Sequence, residues 1–133
     1  MQSPIYPKTI YNQVTNIKNG MLINSSGEAN VTTVWNGKNK DSVVYNVIIK
    51  PLGVNVACVL KFYINNGLDY TNPLNNAHIY EVAVPAYNTS TTAAAAELNL
   101  QFNLKLPKNY ILRAGLSTGL ASGLQLLTTG AVY

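Results

Sequence analysis

Charged residues are scarce in this chain of 133 residues: they make up 11%, against about 25% in an average soluble domain. Nine are basic and five acidic, which gives a formal net charge of +4. The basic residues are scattered singly, and the one close pair, Lys38 and Lys40, is followed by Asp41. Because binding to a phosphate backbone needs several cations on one face, we do not expect a nucleic-acid partner.

Side chains that carry catalysis or bind metals are equally scarce. There is one cysteine, Cys58, and one histidine, His78, so a disulfide within the chain is excluded and a Ser-His-Asp or Cys-His set would have to be built on His78. Glu81 follows His78 by three residues, a spacing that places the two side chains on opposite faces of a strand. We therefore expect a non-enzymatic protein without a cofactor or a metal. The five acidic residues are spread along the chain: Glu28, Asp41, Asp69, Glu81 and Glu97.

Two segments of the sequence could form either a helix or another structure. Residues 114–133 carry no formal charge and place glycines at four-residue spacing, as membrane helices do, but they contain too many Ser, Thr and Gln residues for a membrane span. We expect two strands joined by a turn there, and no membrane partner. The alanine-rich residues 91–97 are too short for a stable helix, so we expect a loop with at most one helical turn. For calcium, the loop Asp69–Asn72 is the one weak candidate.

What the sequence does contain is alternation of apolar and polar residues. Between Glu97 and Leu106 every second residue is apolar, which is typical of a half-buried strand. A second such pattern covers Val54 to Ile64 and ends at Asn65-Asn66-Gly67, a strong turn signal. We expect these strands to face each other across one core, with Leu98, Leu100, Phe102 and Leu104 opposite Val56, Cys58, Leu60 and Phe62.

Shorter strands complete the predicted fold. Turn signals separate them every 8–15 residues, and no long stretch repeats with a helical period. This pattern predicts one all-β domain over residues 1–133, an antiparallel β-sandwich or jelly roll of about eight strands. The further strands are expected at Val31–Trp35, Val43–Ile49, Ile79–Val84, Tyr110–Leu116 and Leu124–Val132, with one between Thr9 and Ile17 and Ile23 at the start or end of another.

The chain has nine tyrosines but only two phenylalanines. Tyrosine is favoured where one end of the side chain is packed and the other is in water. Residues 1–11 contain two prolines and are expected to form an extended arm. In such an arm aromatic residues either hold the segment on its own domain or anchor a partner. The candidate interface residues are Ile5, Tyr6, Ile10, Tyr11, Tyr87 and Tyr133.

The C-terminal third resembles small virion proteins of tailed bacteriophages. The resemblance lies in Leu106-Pro107-Lys108-Asn109-Tyr110-Ile111-Leu112-Arg113-Ala114, then in Ser117-Thr118-Gly119 and a final apolar strand that ends in Tyr133. It implies a location in the virion and a role as a capsid decoration (cement) or head-fibre subunit. Such a subunit is often a homotrimer bound to the major capsid protein or to another virion protein.

Two alternatives remain open at this point. The same resemblance also fits a tail, neck or baseplate component. A carbohydrate-binding or receptor-binding sandwich, which would use Trp35 and tyrosine side chains as a platform, is the alternative from another class of protein. Exposed aromatic residues beside Asn or Asp would favour sugar binding, whereas aromatic residues buried at a subunit contact would favour decoration.

Overall fold

The computed structural model describes residues 9–21, 26–95 and 97–133. These residues form eight strands and one 3-10 helix turn, Pro73–Asn75. The strands are β1 Thr9–Ile17, β2 Thr32–Asn36, β3 Ser42–Pro51, β4 Cys58–Asn65, β5 Asn76–Val84, β6 Leu98–Leu106, β7 Ile111–Leu116 and β8 Leu124–Val132.

The strands form two four-stranded sheets. Sheet I has the order β1-β8-β3-β6 and sheet II the order β2-β7-β4-β5, and all neighbours are antiparallel. Strand β1 pairs with β8, β2 with β7, β3 with β6 and β4 with β5, as if one long hairpin had been rolled into two layers. This is the pairing of a jelly roll, and it confirms the predicted all-β sandwich of eight strands.

The core lies between the sheets and is built from the residues that the alternation placed inward. Trp35 of β2 is fully buried, and its indole N–H donates to Ser42 Oγ at 3.0 Å. Phe62 of β4 is also fully buried and meets Phe102 of β6 edge to face, with 5.2 Å between ring centroids. The expected contact between these two strands across the core is therefore confirmed.

The predicted start of the second strand is wrong. Strand β4 begins at Cys58, and Val54 and Val56 are exposed, Val56 to 61%. The reason is Asn55, which is buried at this end of the sandwich. Its backbone exchanges two hydrogen bonds with Tyr87, and its side chain bonds the backbone of residues 122 and 123. These bonds hold residues 54–57 across the end of the sandwich and outside the ladder.

The other predicted elements have different outcomes: some are confirmed, one is corrected, and some fall on residues that the structure does not describe. Strands β1 and β8 have the predicted bounds, and the described part of residues 91–97 contains no helix. Thr9, Ile10 and Tyr11 belong to β1, where they pair with β8, so the last part of the predicted arm is instead an edge strand. Residues 1–8 and Ile23 lie outside the described residues.

Candidate contact surfaces

The described residues hold few of the side chains that bind metals, and these do not gather in one place. They contain no group of three or more His, Cys, Asp or Glu side chains that could hold a metal ion. His78 Nε2 lies 3.8 Å from Glu81 Oε2, and both side chains are about half exposed. The expectation that these two residues point to opposite faces is wrong, because a register shift opposite Phe62 and Tyr63 adds one residue to β5 between them.

The calcium candidate is a turn that is stabilised by its own hydrogen bonds. Asp69 Oδ1 accepts hydrogen bonds from the Thr71 backbone N–H at 3.0 Å and from Thr71 Oγ1 at 2.7 Å. Hydrogen bonds from the Thr71 side chain and backbone lower the pKa of the Asp69 carboxyl. Asp69 Oδ1 therefore already accepts two hydrogen bonds within the loop. These bonds give Asp69 a structural role that needs no metal.

Cys58 lies at the start of β4 and is buried. Burial raises the pKa of its thiol, so the thiol stays protonated at neutral pH. A thiolate is the reactive form of cysteine, and thiols in apolar surroundings are inert. The geometry agrees with a packing role for Cys58.

The structure places Tyr11, one of the predicted interface residues, against its own domain. Its ring stacks on Trp35 with 4.8 Å between centroids and an interplanar angle of 15°. Its hydroxyl donates to the Asn36 carbonyl at 3.1 Å, and burial raises its pKa. Tyr11 therefore joins the two sheets and is not available as an anchor for a partner.

The other predicted interface residues are scattered over the domain. Tyr87 is half-buried and fixed by its two backbone bonds to Asn55. Tyr133 is half-buried at the opposite end, where its N–H donates to the Asp41 carbonyl. Ile10, in contrast, is 70% exposed on β1. Ile5 and Tyr6 lie outside the described residues, so the structure does not bring these six residues into one site.

One side of the sandwich, where β1 and β2 lie over each other, is closed. Tyr11 and Trp35 stack there, and Gln13 bonds both backbone groups of Asn36, with its Nε2 donating to the carbonyl at 3.0 Å and its Oε1 accepting from the N–H at 3.1 Å. We call this the closed side. Its edge strands are joined by side chains, which bond the backbone N–H and carbonyl of Asn36.

The opposite side, where β5 of sheet II lies over β6 of sheet I, is open. Five successive residues of β5, 77–81, are exposed, and the core-facing residues of β6 are only half-buried up to Leu104. Tyr80 faces inward, opposite Phe62 in the ladder, and meets Phe102 edge to face at 5.8 Å, yet 46% of it is exposed. We call this the open side.

A groove of about 430 Å³ runs along the open side. Apolar residues line most of the groove, and none of the residues that line it is charged. Asn99 and Gln101 border it along β6, while their side chains bond each other on the outer face of sheet I. An accessible, apolar interior between two unpaired edge strands is a surface that another chain can cover. The lining residues are Ile79, Tyr80, Asn99, Leu100, Gln101, Phe102 and Leu104.

The outer face of sheet I is a second uncharged surface. Val14, which is 63% exposed, Leu127 and Ile48 form an apolar row across three strands. Beside it runs a polar row in which Thr129 Oγ1 donates to Asn12 Oδ1 at 2.7 Å. The charged side chains of this face are confined to its margins, at Lys50, which pairs with Glu97 at 3.2 Å, and at Lys105.

A buried cation holds two loops against the outer face of sheet II. Arg113 of β7 is buried, its guanidinium donates to the carbonyls of Ser26 and Val31, and the ring of Tyr70 covers it at 4.3 Å. Burial lowers its pKa. Sequence reasoning used Arg113 only for the family resemblance. No signal in the sequence identified it as the residue that fixes the loops.

Two solved virus structures are similar to this chain. Against the structure of infectious bursal disease virus Gx strain, the identity is 11% and the TM-score 0.31, over 92% of this chain and 32% of that chain. Against the Gt strain, the identity is 16% and the TM-score 0.31, over 93% and 30%. The chain thus spans about a third of each matched chain. No family model and no curated protein matches it.

The described residues contain no helix that is long and apolar enough to cross a membrane. The two strands that were expected in residues 114–133 are present, as the end of β7 and as β8.

The sequence did not reveal the open side or the outer face of sheet I as sites. The alternation shows which face of a strand is apolar, but not that the opposing strand leaves it uncovered.

Proposed function

We propose that this chain is a non-enzymatic structural protein of a virion, and that it acts as a capsid decoration subunit which binds and stabilises an assembled phage head. The observation that carries the proposal is the open side. Tyr80, Leu100 and Phe102 face inward, yet they remain partly exposed along the groove. Covering this apolar interior with a segment of the shell stabilises both partners, since a ligand that binds only the assembled state shifts the equilibrium toward it.

The absence of charge in the groove indicates the kind of segment that fits. Both β5 and β6 have one unpaired edge, because each is the last strand of its sheet. An extended segment can pair with such an edge while its alternate side chains enter an apolar groove. We propose that the partner is the major capsid protein or another virion protein, and that the subunit is a symmetric homo-oligomer. The number of three copies rests on the phage resemblance.

The test is sedimentation of the purified chain with emptied heads of the virus that carries it. We expect the chain to sediment with the heads, and Tyr80→Lys to weaken binding at least tenfold because a charge then enters the apolar groove. Asn16→Lys, an exposed change on β1 of the closed side, is the matched control and should bind normally. Absence of binding, or equal binding by both variants, would contradict the proposal.

A carbohydrate-binding role is the second candidate, and one observation favours it. The ring of Tyr80 is 46% exposed in the groove, beside the backbone of the β6 edge at Asn99 and Gln101. An aromatic ring packs against the apolar face of a sugar, and backbone N–H and C=O groups can bond its hydroxyls. Trp35, which the sequence suggested for such a platform, is fully buried and does not take part. A glycan array decides between the two. Specific binding that Tyr80→Ala abolishes, without binding to heads, would favour this candidate.

A further inference from the structure

The outer face of sheet I has a pattern that is the same when read from either direction. The polar row contains Asn12, Thr129, Asn46 and Gln101, which lie side by side on the four strands. On one side of it lies the apolar row of Val14, Leu127 and Ile48. On the other side lies a second apolar row of Ile10, Ala131 and Val43. On β1, β8 and β3 the order apolar, polar, apolar is thus symmetric about the polar row, and on β6 the flanking positions are Asn99 and Lys105.

We infer that this face binds the same face of a second copy, with a twofold axis that runs along the polar row. A copy turned end for end would lay the row of Val14 over the row of Ile10, with the exposed side chains of Val14 and Ile10 in apolar contact on β1. The polar row would lie over its own counterpart. Because a primary amide is both donor and acceptor, a row of amides can hydrogen-bond with an identical row, which a row of like charges cannot do. This contact is independent of the open side.

Hydrogen bonds within the outer face hold side chains of the polar row in place before a second copy binds. Thr129 donates to Asn12, and Asn99, at the border of the row, accepts from Asn46 Nδ2 and from Gln101 Nε2, both at 3.1 Å. Binding therefore immobilises side chains that are already held, which reduces its entropic cost. Ile10 and Val14 remain the accessible apolar residues, whereas Val43 and Ala131 are already buried.

The size of the face sets the strength of the contact. Four strands about 4.8 Å apart and three rows about 6.7 Å apart span about 400 Å² on each copy, so the contact covers at most about 800 Å² on both. Specific, stable complexes bury about 1,600 Å², so this contact is weak and fits neighbouring subunits that are held close together on a larger assembly. In trimeric subunits it would join two copies from adjacent trimers.

The first test is sedimentation velocity up to about 1 mM protein, where a weak contact is still substantially formed. We expect the mean mass to rise with concentration above that of the basic unit, to twice that mass if the unit is a single copy and beyond it if the unit carries several copies of the face. Val14→Asp should abolish this rise and leave the unit intact. Leu74→Asp is the matched control, since Leu74 is 91% exposed on the loop between β4 and β5. A constant mass, or an equal rise in both variants, would overturn the inference.

The second test locates the axis with a short bismaleimide cross-linker. Cys58 is buried, so an added cysteine provides the accessible thiol. Asn46→Cys lies on the proposed axis and should cross-link to its counterpart. Asn16→Cys lies two rows away, which places it about 27 Å from its counterpart, so it should not cross-link. Efficient cross-linking at position 16 or none at position 46 would overturn the twofold geometry. Neither test depends on binding to heads, so each proposal can fail alone.

Discussion

The closed and open sides are built from the same kind of alternating strand, yet they differ in how far their inward-facing side chains are covered. On the closed side, Tyr11 and Gln13 of β1 bond the backbone of Asn36 on β2, so side chains join the two sheets. On the open side, Tyr80 meets Phe102 and remains exposed. The difference is that side chains join the two sheets on the closed side, whereas the open side leaves apolar side chains partly exposed.

Trp35→Ala should have the largest effect, because it removes the centre of the closed side. Trp35 is fully buried, stacks on Tyr11 and bonds Ser42 Oγ. Loss of a buried aromatic ring costs about 3–5 kcal/mol, and the orphaned hydroxyl adds to this. Urea denaturation measures the free energy of unfolding. A loss of under about 1 kcal/mol would show that the closed side does not hold the sheets together.

Phe102→Ala tests the open side with a change of similar size. Taken from the sequence alone, Phe102 is a core residue whose truncation costs about 3–5 kcal/mol. The structure leaves Phe102 half-buried beside the groove, so we expect about 2 kcal/mol, because part of its surface is already in water. The same urea titration compares both variants. If Phe102→Ala cost as much as Trp35→Ala, the two sides would be equally closed.

Asn103 tests the backbone of β6, the edge strand of the open side. Its φ is 47°, and it lies where two residues of β6 face Tyr45 in the ladder. Asparagine tolerates this left-handed conformation, whereas a β-branched residue does not. Asn103→Val should therefore cost about 1–2 kcal/mol and Asn103→Gly little. Equal melting curves for these two variants would show that the bulge is not strained. The alternation alone predicts an exposed Asn103 that is cheap to replace.

The sequence predicts the fold further than it predicts the sites. The alternation in Glu97–Leu106 and the turns at Asn-Gly and Pro residues were enough for eight strands and a sandwich, since these signals are local. Bulges are not local: the extra residue in β5 that brings His78 beside Glu81 depends on how β4 pairs. The open side depends on how far two edge strands approach each other, and the burial of Arg113 depends on two loops that are distant in sequence.

The smallest effect comes from removing single hydroxyls, one on each side. Tyr11 donates to the Asn36 carbonyl at 3.1 Å in a partly buried site, so Tyr11→Phe should cost about 0.5–1.5 kcal/mol. Tyr80 lies half exposed beside the groove, where water can solvate its hydroxyl, so Tyr80→Phe should change stability by less than about 0.5 kcal/mol. Both substitutions keep the aromatic ring, hence the stack on Trp35 and the contact with Phe102 are retained and the hydroxyl alone is tested. A cost at Tyr80 equal to that at Tyr11 would mean that the open side has a buried hydrogen bond of its own, and the contrast between the two sides would then be smaller than their geometry indicates.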